Sequence, residues 1–320
     1  MACVKIPMRQ TLSFVVVQMK CAWEFIMYLQ EKRMKRASKA RNGFILAVIV
    51  ALLGAMVVLS AMVRPRLTDP HAGQVYVYDG YDWVWMTPME GVPVNAMAEE
   101  DFDWSAAVPS YLRDGYDVLC GVDVSEHQAE IDWQRVAAAG VDFAYIRVGR
   151  RGYSEGGLFE DAYFRRNIEG AKAAGLKVGV YFFSQAVTTA EAIEEANMVL
   201  RLVQPYAQDL PIMFDWEKIY NDLTARTTGL DTKTLSDCAV AFCETVKSAG
   251  YRAGIYFNRN TGYYGFDLTR MGDYTYWFAL PESKFPNFYY RVDLWQYSFS
   301  ATVPGINTPT DMNLMFVPKA

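Results

Sequence analysis

Short apolar runs alternate, from residue 118 onwards, with longer segments in which apolar residues recur every three or four positions. The first pattern is typical of buried strands and the second of helices that pack on a sheet. The predicted strands are 118–124, 143–148, 177–183, 211–215, 252–257, 274–279, 291–296 and 311–316, and the predicted helices are 133–139, 161–174, 188–203 and 232–249. Eight strands with helices after the first four or five predict an α/β fold, a closed TIM-like β/α barrel that is irregular in its last third.

The alternative for this pattern is an open, doubly wound sheet. The chain contains neither the Gly-x-Gly-x-x-Gly fingerprint nor the phosphate-binding loop by which such sheets usually bind nucleotides. We therefore favour the barrel, in which catalytic side chains lie at the carboxyl ends of the strands.

Four acidic residues stand at predicted strand ends, namely Asp123, Asp215, Glu217 and Asp311. The first and eighth strands of a closed barrel are neighbours and the fourth lies across the mouth, so these carboxyl groups are expected to converge. Asp215 and Glu217 are two positions apart and share one face of a strand. One acid of such a buried pair keeps its proton beside an anion, which is the minimum equipment for cutting a glycosidic bond. The alternatives are acids that simply face solvent, or a site for a hard cation such as Ca²⁺.

Residues 43–63 contain no charged side chain and would span about 31 Å as a helix, close to the hydrocarbon thickness of a bilayer. Six basic residues lie between positions 32 and 41. The positive-inside rule then predicts a single-pass cell-membrane protein with a cytoplasmic tail (1–42) and an extracytoplasmic catalytic part. A cleaved, secreted form is less favoured, because the apolar run is long and no clear Ala-x-Ala site follows it. Residues 1–33 either belong to the tail or precede the true start at Met34.

Residues 64–117 are predicted to form an extracytoplasmic linker that contains one β-hairpin. Alternating aromatic and β-branched residues flank Asp79-Gly80 within 74–86, which is a strong hairpin signal. Because an isolated hairpin is marginally stable, it is expected to pack on the catalytic domain or on a partner. Residues 88–117 are rich in proline and acids and predict a tether or small stalk.

The charge of the chain changes sign along its length, with a net charge of +7 up to Arg41 and −12 beyond it. So acidic an outer part predicts no nucleic-acid partner, since nucleic acids bind to cationic surfaces. Three cysteines in this part do not make a disulfide framework, and no Cys/His cluster has metal-ligand spacing, so we expect neither metal nor cofactor. Two histidines and no Gly-x-Ser-x-Gly elbow do not favour a serine or cysteine nucleophile.

A series of motifs runs in order through residues 119–318. They are Gly121-Val-Asp-Val-Ser-Glu-His-Gln128, Ile131-Asp-Trp133, Phe143-Ala-Tyr-Ile-Arg147, Tyr163-Phe-Arg-Arg-Asn167, the segment 175–182, Phe214-Asp-Trp-Glu217, Gly254-Ile-Tyr256, Trp295-Gln-Tyr297 and Asp311-Met-Asn313. With these motifs the chain resembles glycoside hydrolase family 25, the bacterial and phage muramidases. The resemblance implies an irregular (β/α)5β3 barrel over 118–320. It also implies hydrolysis of the β-1,4 bond between N-acetylmuramic acid and N-acetylglucosamine in peptidoglycan glycan strands.

The resemblance also implies roles for single residues. Glu217 matches the general acid and Asp215 its partner acid, while Asp123 and Asp311 match the two further acids of the pocket. Tyr181 and Tyr256 match aromatic residues that line the sugar groove.

Three further residues are candidate sugar contacts, or equally packing residues: Gln128, Trp277 and Trp295. Arg147 is expected to be a structural ion-pair partner inside the barrel. The sequence departs from the family at Pro281, where an aromatic residue is usual, and in the turn 307–310 before Asp311.

The route through the transition state stays open at this level. Cα atoms two apart on a strand are about 6.6 Å apart, between the carboxyl separations of retaining and inverting enzymes. We favour a third route, in which Asp215 orients the 2-acetamido group of the substrate as an internal nucleophile. The rival functions are a membrane-tethered wall-binding or scaffolding protein and a hydrolase of another N-acetylated glycan. The anchor favours remodelling of the cell's own wall.

Overall fold

Eight strands close into a barrel in a computed structural model of the chain. The structure describes residues 48–58 and 69–319, together with isolated helical positions before them (20, 23, 24, 26, 27 and 30). The strands in these ranges are β1 (Val75–Tyr78), β2 (Trp83–Met86), β3 (Phe102–Asp103), β4 (Ser110–Tyr111), β5 (Tyr116–Val124), β6 (Phe143–Arg151), β7 (Leu158–Glu160), β8 (Lys177–Ser184), β9 (Ile212–Trp216), β10 (Ala253–Asn258), β11 (Thr275–Ala279), β12 (Leu294–Ala301) and β13 (Thr310–Pro318). The α-helices after residue 69 are α1 (Trp133–Ala138), α2 (Phe164–Ala173), α3 (Thr189–Val203) and α4 (Thr232–Ser248).

The barrel runs in the order β5, β6, β8, β9, β10, β11, β12, β13 and back to β5. Neighbours from β5 to β12 are parallel, whereas β13 runs antiparallel to both β12 and β5 and closes the ring. An α-helix follows each of the first four barrel strands, and β10 is followed by two short turns, Thr261–Gly265 and Leu268–Arg270. The predicted closed barrel with an irregular last third is confirmed.

Side chains that alternate along the strands separate an inner layer from an outer one. Phe143 and Tyr145 point into the barrel, and Ala144 and Ile146 on the same strand pack in the outer core beneath the helices. Gly121 has no side chain, and a Cβ atom there would collide with the ring of Phe143. The barrel interior is therefore filled with aromatic and aliphatic side chains, and a groove lies at the carboxyl ends of its strands.

Residues 73–117 pack on the barrel. For the hairpin this is one of its two expected alternatives, whereas a tether or small stalk was predicted for 88–117. β1 and β2 form the predicted hairpin around Asp79-Gly80, and the compact unit that contains the barrel begins at Gly73. The ring of Phe102 contacts Trp295 at 5.4 Å and Phe316 at 6.2 Å between centroids, on the outer face of β12 and β13. The predicted division into a linker (64–117) and a barrel (118–320) stays a prediction. The packing of Phe102 has a physical reason, because strands that no α-helix covers need another apolar layer.

The predicted membrane span at 43–63 lies only partly within the described residues. Residues 48–58 of it are helical. Across all positions that the structure describes, no helix has the length and apolar character needed to cross a bilayer. The anchor therefore stays a prediction, and the predicted tail (1–42) lies almost entirely outside the described residues.

Candidate active site

The four acids predicted from strand ends line one groove at the carboxyl end of the barrel. This acidic groove, defined by Asp123, Asp215, Glu217 and Asp311, has a volume of about 660 Å³. The candidate sugar contacts Gln128, Tyr181, Tyr256 and Trp277 also line it. The structure therefore brings together eight of the nine residues singled out by the sequence.

A second cavity of about 650 Å³ lies outside the barrel, between Trp104, Pro281 and Tyr297. Glu282 is the one acidic residue in its described lining. This cavity has no acid pair, so it is not a candidate for acid–base chemistry.

β9 positions the central pair. Asp215 is the fourth residue of the strand and Glu217 directly follows its last residue, so both side chains point towards the groove while Trp216 points away. Asp215 is only 5% exposed, and its Oδ1 atom has no hydrogen-bond partner in the described part of the chain. A buried carboxyl oxygen without a partner is costly, and it is a ready acceptor for a donor on a ligand.

Burial raises the pKa values of all four acids, and repulsion by neighbouring carboxylates adds to the rise for Asp215, Glu217 and Asp311. Burial is the largest cause in each case, and it raises the pKa of Glu217 and of Asp123 to about 6 and that of Asp311 to about 8. The pKa of Asp215 lies well above its usual value because of burial and the nearby charges of Glu217 and Asp123, which Arg147 partly offsets. The groove therefore keeps protons on some of its acids near neutral pH, beside others that are ionised.

Asp123 is held as the anion of the cluster by two side-chain amides. Its Oδ2 atom accepts hydrogen bonds from Gln296 Nε2 and Asn313 Nδ2, both at 2.8 Å, and these bonds lower its pKa against the effect of burial. Gln296 also accepts a bond from the Tyr256 hydroxyl at 2.8 Å, and Asn313 accepts one from Trp277 Nε1 at 2.8 Å. The network ties the central anion to two groove aromatics.

Gln296 and Asn313 were not among the site residues predicted from the sequence. Both stand in quoted motifs, and each shares a strand face with a barrel-interior position. Two further residues that it missed lie behind Glu217. Gln185 donates a bond to the Glu217 carbonyl at 3.0 Å, and it accepts one from Thr227 at 2.7 Å. They hold the backbone that carries the Glu217 side chain.

Three aromatic rings form the floor and sides of the groove. Trp277 packs at 5.1 Å from Tyr256 and at 5.9 Å from Tyr181 between ring centroids, in edge-to-face arrangements. It is 1% exposed, whereas Tyr256 and Tyr181 are 7% and 9% exposed. Trp277 thus supports the two tyrosines from below, and their edges are what a ligand would meet.

Trp295 does not line the groove, and of its two predicted alternatives, sugar contact or packing residue, its buried position favours packing. Its neighbour Gln296 points into the barrel, so the alternation along β12 directs Trp295 outwards. The ring is fully buried against Phe102 and Trp104, and its Nε1 atom donates to the Leu280 carbonyl at 3.0 Å.

Gln128 lines the groove, its Nε2 atom donates to the Pro309 carbonyl at 3.5 Å, and its Oε1 atom stabilises the local turn. Its Oε1 atom accepts from the backbone of Ser125 at 2.9 Å. Arg147 forms the predicted buried ion pair, with Nε at 2.8 Å from Asp161 Oδ2 and Nη2 at 3.1 Å from Glu126. Arg150 bonds the same Glu126 at 2.7 Å and lies over the ring of Phe159, forming one wall of the groove.

In the described part of the chain, no group of three or more His, Cys, Asp or Glu side chains has an arrangement that could hold a metal ion.

Comparison with known proteins decides the family. The model of glycosyl hydrolases family 25 matches residues 122–306, which is more than half of the chain and includes the first three acids of the groove. The chain belongs to glycosyl hydrolase family 25. It is therefore a glycoside hydrolase, as the residues and their resemblance predicted.

Several curated proteins are similar to this chain. YegX of Escherichia coli K12, an uncharacterized protein, is 30% identical over 207 residues, which cover 61% of this chain and 68% of that protein. Lysozyme M1 of Streptomyces globisporus is 25% identical over 202 residues, covering 60% and 66%. The autolytic lysozyme of Clostridium acetobutylicum is 25% identical over 194 residues, covering 60% and 54%. The matched part thus spans between half and two thirds of these two lysozymes.

Solved structures show the same fold. A family 25 glycosyl hydrolase from Bacillus anthracis superposes with a TM-score of 0.53 at 22% identity, covering 66% of this chain and 94% of that one. The autolysin LytC of Streptococcus pneumoniae, in complex with a synthetic peptidoglycan ligand, gives 0.51 at 24% identity, covering 65% and 53%.

Proposed function

We propose that this chain is a peptidoglycan muramidase that hydrolyses the β-1,4 bond between N-acetylmuramic acid and N-acetylglucosamine. The observation that carries the proposal is the side-by-side placement of Glu217, with a pKa of about 6, and the buried Asp215 in one acidic groove. Two relatives are named as lysozymes, and the pneumococcal autolysin was solved with a peptidoglycan ligand, which supports this choice of substrate.

In the first step Glu217 acts as the general acid. Its proton goes to the glycosidic oxygen, O4 of the departing N-acetylglucosamine, as the bond from this oxygen to C1 of N-acetylmuramic acid breaks. The carbonyl oxygen of the 2-acetamido group forms a bond to the same C1, which gives a cyclic oxazolinium ion. No bond forms between the substrate and the protein.

Asp215 orients the acetamido group in this step. Its Oδ1 atom lacks a partner in the described chain, so it can accept a hydrogen bond from the acetamido N–H without breaking another bond. Positive charge develops on that N–H as the oxazolinium forms, and it favours the ionised form of Asp215. The Asp123–Asp311 pair adds its single negative charge beneath the cation.

In the second step the Glu217 carboxylate takes a proton from water. The water oxygen attacks C1, the bond from C1 to the acetamido oxygen breaks, and the acetamido group is restored. The sugar is released with the β configuration that it had in the polymer, so this route predicts retention.

Reducing-end analysis tests the proposal. Purified sacculi are digested with the full chain, the products are reduced with borohydride, and the reduced ends are identified by mass spectrometry. The proposal predicts ends derived from N-acetylmuramic acid, and release falling by about 10²–10⁴-fold for Glu217→Gln. Ends derived from N-acetylglucosamine would show that the chain cuts the other glycosidic bond, the one from C1 of N-acetylglucosamine to N-acetylmuramic acid. Sacculus binding without any release by the unmutated chain would favour the wall-binding or scaffolding function instead.

We propose further that residues 43–63 tether the enzyme to the cell membrane, facing the cell's own wall. The run is uncharged and follows a basic segment. In its described part, Val50, Leu52 and Met56 expose about three fifths of their side chains, and lipid is a suitable environment for them. Alkaline carbonate extraction of membranes tests the tether: the full chain should stay in the pellet, and its release into the supernatant would refute an integral anchor.

A further inference from the structure

The outer face of the β1–β2 hairpin carries four aromatic side chains, which we call the aromatic ladder: Tyr76, Tyr78, Trp83 and Trp85. They form two cross-strand pairs, and the ring centroids of Tyr76 lie 4.9 Å from Trp85 and 5.3 Å from Trp83. Tyr76, Trp83 and Trp85 are each about half exposed, at 53%, 54% and 46%.

The inner face of the same hairpin already supplies its attachment to the fold. Val77 is buried there, and Val75, Val84 and Met86 pack against the main core. The ladder is therefore not required to bury the hairpin. A contiguous exposed aromatic surface of this kind marks an interaction site.

The hairpin is fixed at the rim of the acidic groove. Its turn residue Asp79 accepts a bond from the Tyr264 hydroxyl at 2.8 Å, and the Arg259 guanidinium lies 5.1 Å above the ring of Tyr78. Both partners follow β10 directly, and β10 carries the groove residue Tyr256.

A second connection runs through the loop after β9. Burial, followed by interaction with Tyr81 of the hairpin turn, raises the pKa of Tyr220, and the charge of Glu217 adds to the shift. Tyr81 and Tyr220 are 73% and 60% exposed. Exposed aromatic side chains thus extend from the neighbourhood of the general acid to the ladder.

We propose that the aromatic ladder is an accessory binding site for the glycan strand, outside the acidic groove. The proposal rests on the muramidase function above. Pyranose rings of β-1,4-linked sugars present flat C–H surfaces that pack on tryptophan and tyrosine rings, while their hydroxyl groups stay in water. A polymeric substrate extends beyond any groove that holds a few sugars, so a strand leaving the rim would meet the ladder.

The charges near the ladder disfavour an anionic lipid surface. The turn carries Asp79 and Asp82, and Arg259 is the cation that the structure places on the ladder itself. Peptide segments that rest on anionic membranes usually combine their aromatic residues with several lysines or arginines. Acidic residues would instead be repelled by anionic lipids.

The experiment measures binding without cleavage. The full chain carrying Glu217→Gln is kept in detergent, and its dissociation constants are measured for peptide-free glycan strands of more than about ten disaccharides and for one tetrasaccharide. Adding Trp83→Ala and Trp85→Ala should raise the constant for long strands by about tenfold and that for the tetrasaccharide by less than twofold. Phe299→Ala, which removes a 48% exposed aromatic ring from β12, is the matched control and should change neither.

Two further measurements keep the result interpretable. Trp83→Phe with Trp85→Phe should retain long-strand affinity, and Trp83→Gln alone should weaken it if the double alanine variant unfolds. An unchanged long-strand constant in a folded alanine or glutamine variant of the ladder overturns the proposal.

The lipid alternative has its own readout. Brominated lipids in proteoliposomes quench the fluorescence of tryptophans that contact the lipid. The proposal is also overturned if Trp83→Ala with Trp85→Ala abolishes this quenching while leaving glycan affinity unchanged. Binding and cleavage are measured separately, so the two proposals can fail independently. If the chain binds glycan through the ladder but does not cut sacculi, the muramidase function is refuted and the ladder site is supported.

Discussion

Asp311 and Asp123 are direct partners across the antiparallel strands β13 and β5. Burial, the charges of Asp123 and Glu217, and a hydrogen bond with Asp123 raise the pKa of Asp311 to about 8. Asp311 therefore holds a proton at neutral pH that Asp123 accepts, and the two acids together carry about one negative charge. The strand pair that closes the barrel is also the one that fixes this pair of acids.

The raised pKa of Asp311 predicts a stability cost at neutral and alkaline pH. The neutral form is favoured in the folded protein, so its contribution is fully present below the ordinary pKa of 3.8 and is lost as pH rises towards about 8. Asp311→Asn keeps a neutral side chain that can donate to Asp123. It should raise the free energy of unfolding by about 1–2 kcal/mol at pH 8 and by much less at pH 4.

Urea unfolding at the two pH values measures this difference. Asp114→Asn, at a fully exposed carboxyl, is the control and should change stability little at either pH. An equal effect of Asp311→Asn at pH 4 and pH 8 would show that Asp311 does not hold a proton in the folded state.

The raised pKa of Glu217 predicts that activity falls as the pH rises above about 6. Burial and the charge of Asp123 raise its pKa to about 6, and the general acid must carry its proton when the substrate binds. The ratio kcat/KM on solubilised glycan strands should therefore fall about tenfold per pH unit above a midpoint near 6. A plateau that extends beyond pH 8 would contradict this assignment.

Gln296 is predicted to position and tune Asp123 rather than to bind sugar. Gln296→Leu removes the 2.8 Å bond to Asp123 and the one from Tyr256, so the pKa of Asp123 should rise further. We expect kcat to fall about 10–100-fold, KM to change less, and the pH profile to shift. Gln204→Leu, on an exposed residue after α3, is the control. A change in KM alone would indicate a direct sugar contact.

Trp295 is predicted to matter for stability and not for substrate binding. Trp295→Ala should lower the free energy of unfolding by about 3–5 kcal/mol, because it leaves a cavity beside Phe102 and Trp104. Trp295→Phe should restore most of the stability, and KM of this variant should equal that of the unmutated chain. A several-fold rise in KM for Trp295→Phe without loss of stability would instead indicate that Trp295 contacts the sugar.

The sequence predicted the barrel because its signals are local. Each strand is an apolar run and each helix has an amphipathic period, and their order restricts the topology to few choices. The acids at strand ends were predictable for the same reason. The start of α3 is also set locally: the Thr188 hydroxyl accepts a bond from the Glu191 N–H, and the Glu191 carboxylate accepts one from the Val187 N–H at 2.8 Å.

Features that depend on contacts between distant segments were not predictable in this way. Proline and acidic residues in 88–117 favour a tether, but the composition does not reveal that Phe102 and Trp104 cover strands without helices. The alternation of side chains along β12 would have placed Trp295 correctly. If Gln296 and its strand partner Asn313 face the barrel interior, the adjacent Trp295 must face outwards. A family resemblance identifies motifs. Which residue of a motif points into the site depends on the alternation of side chains along the strand.

The most direct test of the account is the dependence of the Glu217 variant on the leaving group. Glu217→Gln is compared with the unmutated chain on glycan strands and on a dinitrophenyl glycoside of a β-1,4-linked N-acetylhexosamine oligomer, whose leaving group needs no proton. If Glu217 protonates the leaving oxygen, kcat/KM should fall by about 10²–10⁴-fold on strands and far less on the activated glycoside. Equal losses on both substrates would contradict the role of Glu217 as the general acid.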